Sequence, residues 1–417
     1  MGKSKNIVIT AMGIVSPLGF DVEEFKNALF NGASGVRPIA GTGKHLGPEF
    51  PVPYAAMIDK ARLEKEAKAL SPNGEINAFI PESAKAAYVA TKKALQGLQG
   101  MTIDKVIYGA AEGITDEHIR RSRHEKDVSY VQDCRPERAL EAINLAIKEV
   151  TGKSVPEEDL VTLNSACASG NHALVMALHQ LRAGLCERVL VGGVDVRATA
   201  SNMMNFNILG ALCTDKVPPE KASRPFSGDR SGFIRGEGAG SLLLETEESA
   251  KARGAKILAY LAGGANTSDA YRITDGRDDG MAVIECIHTA LRDAGMSVDN
   301  VDAINAHGTS TKLNDRVETF CIKEVFGARA PKIPVNSIKS QIGHSTVAAG
   351  AQEAIACILM LEAQRMSPTI NYNQPDPECD LDYVPNVARD VKMDTILSNN
   401  FGFGGQNSCV LFKRSAS

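Results

Sequence analysis

Two stretches of this chain rhyme, and the rhyme limits what it can fold into. From Ala142 to Val150 the pattern is helical, an acidic turn Pro156-Glu157-Glu158-Asp159 follows, and a strand then runs to Cys167. From Val283 to Ala294 the pattern is again helical, Ser297-Val298-Asp299-Asn300 makes the turn, and a strand runs to the neighbourhood of His307. The two reactive residues lie about 140 residues apart, the size of one α/β domain. This predicts an internal duplication with reactive residues at equivalent strand ends. Ligands of open α/β sheets sit at the carboxyl ends of strands, so two halves would bring Cys167 and His307 to one cleft.

The rest of the chain fits that plan. Strand patterns are expected at Asn6–Thr10, Lys105–Tyr108, Leu160–Leu163, Arg188–Val191, Ser241–Leu244, Ile257–Ala262, Val301–Asn305, Ile333–Val335, Ile396–Ser398 and Ser408–Phe412. Helices are expected between them, notably Pro136–Val150, Asn171–Arg182, Met281–Ala294 and Val347–Gln364. Such alternation argues for a layered α/β fold. Gly41 to Asn73, polar and broken by Gly and Pro, reads as a surface excursion. Thr115 to Pro136, with Arg120, Arg121, Arg123 and Lys126 beside acids, reads as a solvated helix or loop.

Composition narrows the function. A net charge of −4 with no long basic run argues against general nucleic-acid binding. Nine cysteines without CxxC pairs or metal-ligand spacings, and no secretory apolar segment, fit a reducing cytoplasm. No apolar run is expected to approach the roughly 18–20 residues needed to span a membrane.

Cys167 lies in Asn164-Ser165-Ala166-Cys167-Ala168-Ser169-Gly170, where a strand hands over to a helix. The helix macrodipole and its free N–H groups favour the thiolate there. Free cysteine also packs as a small hydrophobe, so catalysis and simple burial remain alternatives on local setting alone. The other eight cysteines read as packing residues; Cys286 and Cys357 lie on apolar helical faces. His307 lies in Ala306-His307-Gly308-Thr309-Ser310-Thr311, and His344 in Gly343-His344-Ser345-Thr346, five residues after Lys339. Two histidines on Gly/Ser/Thr turns, in a chain with only eight, suit a shared polar site. Near the C-terminus, Phe401-Gly402-Phe403-Gly404-Gly405 joins two strands and presents backbone N–H groups. With neither a P-loop nor a dinucleotide fingerprint present, an oxyanion hole for a thioester carbonyl suits that turn better than a phosphate site.

With these motifs in order, the chain resembles the β-ketoacyl-[acyl-carrier-protein] synthases, their synthase II branch in particular. Ala222-Ser223-Arg224-Pro225-Phe226, Arg235-Gly236-Glu237-Gly238-Ala239-Gly240 and Cys379-Asp380-Leu381-Asp382-Tyr383-Val384-Pro385 support the likeness, which runs from about Ile7 to Phe412. The resemblance implies the thiolase fold, with duplicated βαβαβ halves in five layers, here 1–255 and 256–417, and usually a dimer: a homodimer, or alternatively a heterodimer with a ketosynthase-like partner. It implies that Cys167 attacks an acyl thioester, that the N–H groups of Cys167 and Phe403 bind the oxyanion, and that His307 and His344 support decarboxylation of a malonyl group. Lys339 and Glu318 would form a buried ion pair behind the histidines. Thr309 and Thr311 would contact pantetheine, and Phe403, followed by Gly404, would gate the two half-reactions with Phe206 facing it. No cofactor or metal is implied; the substrates ride on the 4'-phosphopantetheine of an acyl-carrier protein, with no nucleic acid or membrane as partner.

Departures lie away from the chemistry. Glu112 stands where the family has a small apolar residue at the far end of the acyl pocket, and a carboxylate there costs several kcal/mol unless paired or protonated. Pro136–Glu158 lacks the family pattern. The basic residues that dock the acidic carrier in relatives are absent from Gly74-Glu75-Ile76-Asn77-Ala78-Phe79 and Gly210-Ala211-Leu212-Cys213, which weakens steering. Lys60, Arg62, Lys65 and Lys68 are the candidate substitutes, on a run that reads as a solvated loop. The expectation is a condensing enzyme of a specialised polyketide, polyene or fatty-acid-like pathway. The alternatives are housekeeping elongation, acyl transfer from Cys167 to an amine or alcohol without decarboxylation, and a non-catalytic partner subunit of a ketosynthase heterodimer.

Overall fold

The computed structural model describes residues 5–39, 51–79, 81–111, 135–272 and 276–415. The ten expected strands form one continuous sheet. From edge to edge it runs through Val335–Asn336, Ala303–Asn305, Thr395–Gly402, Gln406–Arg414, Ala259–Ser268, Ile7–Val15, Gly238–Thr246, Arg188–Asp195, Lys105–Ala110 and Leu160–Leu163. The first five strands in that order come from the C-terminal part of the chain and the last five from the N-terminal part. Numbered within its own half, each set has the order 3-2-4-5-1. Pairing matches as well: parallel between the first three strands from each outer edge, antiparallel for the other two. The halves meet where Val8 and Ile9 pair antiparallel with Tyr260 and Ala259.

The duplication is real, but the sequence rhyme aligned it one strand out of step. Leu160–Leu163 is the third strand of its half, whereas Ala303–Asn305 is the second of the other. The counterpart of Leu160–Leu163 is the two-residue strand Val335–Asn336, so Lys339, not His307, occupies the turn equivalent to that of Cys167. The acidic turn misled the alignment: it precedes Leu160–Leu163 and Ala303–Asn305, whereas the turn before Val335–Asn336, Gly327–Lys332, carries Arg329 and Lys332 and no acid.

Two helices lie between the halves. Ser169–Arg182 packs on strands of both, as does Ala349–Ala363, and the two touch each other. Ala349–Ala363 is mostly apolar all round, Gln352, Glu353 and Glu362 apart, and buried along nearly its whole length, as suits a central helix. Contrary to expectation, the run Thr346–Ala363 is long and apolar enough to cross a bilayer by length and composition, yet 89% of it is buried inside the protein. The two helices cross at their first turns through Gly170 and Gly350. A methyl on Gly170 would lie 2.8 Å from Gly350 Cα, so only glycines allow this approach. Helices Glu82–Ala94 and Glu137–Thr151 cover the outer face of one half, and Met281–Ala294 and Lys312–Phe326 that of the other. The result is five layers.

Part of the expected surface excursion is a helix, Lys60–Leu70. Leu63 and Ala67, four apart, are buried, and Arg62–Glu66 and Glu64–Lys68 pair along its exposed face, which is enough to hold a short polar helix on the protein. Glu112 and nearly all of Thr115–Pro136 lie outside the described residues.

Candidate active site

The segment Ser165–Ser169 makes a tight elbow between strand and helix. Ala166 takes a left-handed backbone, φ 48°, a conformation disfavoured for any residue with a Cβ. Side-chain bonds hold it there: the Ser165 N–H donates to Ser169 Oγ (2.9 Å), which donates to the Ala166 carbonyl (2.6 Å). Cys167 therefore sits just ahead of helix Ser169–Arg182, 6% exposed. The turn after Thr395–Gly402 closes over it. A Cβ on Gly402 would lie 2.8 Å from the Ser165 carbonyl and 3.0 Å from the Cys167 nitrogen, so the missing side chain is what lets the two turns touch. Gly404 and Gly405, at φ 81° and 76°, then turn the chain into the next strand. The Phe403 backbone N–H is left directed at the Cys167 sulfur.

One cavity of about 520 Å³ brings the expected residues together. Cys167, His307, His344, Thr309, Thr311, Phe206 and Phe403 all line it. The two imidazoles stand edge to face with centroids 5.3 Å apart, and Phe233 and Phe401 brace them at 5.2 and 5.5 Å. Phe206 faces Phe403 with centroids 6.2 Å apart. The Thr309 and Thr311 hydroxyls lie 2.9 Å from each other.

Electrostatics corrects the expected thiolate. Burial pushes the Cys167 thiol up to about 11, against the pull of Lys339, Arg235 and the Phe403 N–H. At that value the resting nucleophile is a neutral, buried thiol near pH 7. Burial, then the Lys339 charge, also holds both histidines well below the ordinary imidazole value, so both are neutral near pH 7. Both Nδ1 atoms are buried without a hydrogen-bond partner among the described residues.

The ion pair behind the histidines is not the one expected. Lys339 pairs with Glu353, on the central helix Ala349–Ala363, and Asn400 Nδ2 donates to the other Glu353 oxygen at 2.7 Å. Glu318 instead accepts the His307 and Gly308 N–H groups, each at 2.8 Å, and so fixes the histidine's backbone. Burial pushes Glu318 up to about 7. Glu353 was legible in principle, as an acid near the start of a mostly apolar helix whose other acid, Glu362, lies at its far end. A second buried cluster carries no local sequence signal: Arg235 and Asp195, both fully buried and 2.5 Å apart, beside the His344 turn. Burial would raise Asp195, but Arg197 and Arg235 hold it at about 2.

The run equivalent to the carrier dock mixes core and surface, with Glu75, Asn77 and Ala78 exposed. Ile76 and Phe79 are buried, and the Arg138 guanidinium covers the Phe79 ring at 4.4 Å. Of the proposed substitutes, Lys60 pairs with Glu82 and Glu237, and Arg62 with Glu24 and Glu66.

Comparison with known proteins agrees with this geometry. Residues 158–250 match the beta-ketoacyl synthase N-terminal domain and residues 258–373 its C-terminal domain. The chain is 35% identical over 416 residues to 3-oxoacyl-[acyl-carrier-protein] synthase 2 of Coxiella burnetii, covering 99% of each chain. It is 34% identical to a putative polyketide beta-ketoacyl synthase 1 of Streptomyces cyaneus, covering 98% of each. Among solved structures, a beta-ketoacyl synthase from Burkholderia phymatum superposes with a TM-score of 0.85 at 29% identity, over 99% of this chain and 100% of that one. A type II polyketide ketosynthase solved with its acyl-carrier protein gives 0.83 at 32%, with the same coverage. The chain belongs to the β-ketoacyl synthase family, and its five layers are the thiolase fold of that family.

Proposed function

We propose that this enzyme joins an acyl group held on Cys167 to a malonyl group carried by an acyl-carrier protein, with loss of CO2. The observation that carries the reading is the single cavity in which one buried thiol meets two neutral imidazoles and a backbone N–H aimed at the sulfur. The Cys167 sulfur attacks the acyl thioester, and the carrier thiol leaves with the proton. The N–H groups of Cys167 and Phe403 stabilise the oxyanion. Malonyl-carrier protein then enters past Phe206 and Phe403, its pantetheine against Thr309 and Thr311. Its carboxylate leaves as CO2, and the electron pair of the broken C–C bond forms an enolate. Neutral His307 and His344 donate N–H bonds to the enolate oxygen. The carbanion attacks the acyl-cysteine carbonyl, and the thiolate departs to give the β-ketoacyl product. Covalent catalysis thus divides one hard step into two. Acyl transfer without decarboxylation would leave the paired imidazoles without an anion to stabilise.

The two halves, 1–255 and 256–417, supply the nucleophile and the imidazoles respectively. A second copy is the natural neighbour: Leu160–Leu163 is an apolar, half-buried edge strand that pairs on one side only among the described residues. The relatives include both 3-oxoacyl-[acyl-carrier-protein] synthases and polyketide synthases by name. The altered carrier dock favours a dedicated carrier and a specialised pathway in the cytoplasm; rescue of a synthase-II-deficient strain by this gene would count against that choice. The central test is intact mass after incubation with a panel of acyl-carrier proteins. Cys167→Ala should lose all loading, and His307→Ala should load yet release no CO2 from malonyl-carrier protein. Equal loading of Cys167→Ala and wild type would remove the mechanism.

A further inference from the structure

Arg235 is among the largest side chains buried completely in this protein, and its position is unusual. A buried guanidinium carries a desolvation cost of several kcal/mol, so a well-packed apolar residue would usually serve stability as well or better. Asp195 has other donors besides it. Arg197 already donates two bonds to that carboxylate, at 3.0 and 2.9 Å, and the Thr346 hydroxyl donates a third.

What Arg235 does is join parts that are otherwise separate. Its Nε donates to Asn202 Oδ1 at 3.1 Å, on helix Ala200–Ile208, which carries Phe206 one turn further on. Its guanidinium lies 5.9 Å from the Phe206 ring, within cation–π range. Its Nη1 donates to the His344 carbonyl at 3.0 Å and to the Gly236 carbonyl at 2.7 Å. Asp195, paired with it, grips Thr346 two residues past His344. The same unit therefore holds the gate helix at one end and both sides of the histidine's turn at the other.

We infer that Arg235 is a positioning residue that locks the helix bearing Phe206 to the turn bearing His344, so that gate and decarboxylation site are set together. The inference rests on the reading above, in which Phe206 borders the passage and His344 serves the malonyl half-reaction only. A guanidinium suits the task because its planar fork serves several acceptors at once, where an ammonium serves fewer with less fixed geometry.

The test compares wild type with Arg235→Met and Arg235→Lys, measuring acyl loading by intact mass, CO2 release from malonyl-carrier protein, and thermal midpoint. Wild type that neither loads nor releases CO2 refutes the proposed function itself and is recognised before any variant is made. Given an active wild type, Arg235→Met should lower CO2 release at least tenfold more than it lowers loading. A misplacement of about 1 Å at His344 is worth around 100-fold. Arg235→Lys, which keeps the charge and loses the fork, should stay within about threefold of Arg235→Met. Equal losses in both half-reactions, no loss in either, or full rescue by lysine each overturns the inference.

Discussion

Glu353→Gln is the sharpest probe of how the site is held. The Glu353 carboxylate is fully buried, and each of its oxygens faces a donor: Lys339 Nζ on one side and Asn400 Nδ2 on the other. Glutamine has nearly the same shape but only one acceptor oxygen. Whichever way its amide is turned, an N–H₂ group meets another donor, and the Lys339 ammonium, itself 1% exposed, loses its counter-charge. Breaking a buried pair from one side costs about 3–5 kcal/mol. With a denaturant slope of ~3 kcal/mol/M, the urea midpoint should fall by about 1 M or more. The chain has no tryptophan, so far-UV circular dichroism is the readout. The double variant Lys339→Met/Glu353→Leu removes both charges and leaves Asn400 its bond to the Asn399 carbonyl at 2.8 Å. It should regain most of the stability while staying inactive, because Lys339 also sets the charge around both histidines. A Glu353→Gln protein within about 1 kcal/mol of wild type would refute the reasoning, since the pair would then not be the desolvated contact described.

Three further outcomes follow. Alkylation of Cys167 by iodoacetamide should rise with pH toward a midpoint near the thiol's value of about 11, and Lys339→Met should move that midpoint higher; a midpoint below 8 would show a resting thiolate. Gly402→Ala should cut acyl loading by about 100-fold, because the new methyl meets the Ser165 carbonyl and pushes the Phe403 N–H off the sulfur; unchanged loading would remove that N–H from the oxyanion hole. Glu318, raised by burial from 4.5 to about 7, favours the folded state when protonated, so its contribution is complete below pH 4.5 and is lost as pH rises through about 7. Urea titrations at pH 5 and pH 8 should differ by on the order of 1–3 kcal/mol more in wild type than in Glu318→Gln; an equal difference in both would assign the pH dependence elsewhere.

All ten sheet strands, and the meeting of Cys167, His307 and His344 in one cavity, were legible, because local signals carry them: apolar runs of strand length, and polar or thiol side chains on small-residue turns. What was not legible depends on partners distant in sequence. Among the described residues the C-terminal half buries three acids, Asp315, Glu318 and Glu353, and only the packing of helix Ala349–Ala363 against the site gives Lys339 to Glu353. The state of Cys167 differs from expectation for a related reason: its helix N-terminus is visible in the sequence, whereas the packing of the Phe403 turn that buries the sulfur is not. Arg235 looked like part of a glycine-rich run, and nothing local told that its side chain crosses to Asn202 and His344. The helix at Lys60–Leu70 was hidden by charge, since its two buried positions are few.

The contact between Gly170 and Gly350 has a consequence for how such an enzyme can change. One helix begins just after the sulfur and the other just after His344, and at that crossing the two backbones touch with no side chain between them. The spacing of the reacting groups there is thus fixed by main-chain thickness, a quantity no substitution elsewhere in the walls can alter. Substrate preference is free to drift with the residues around the cavity while the reaction geometry is inherited unchanged.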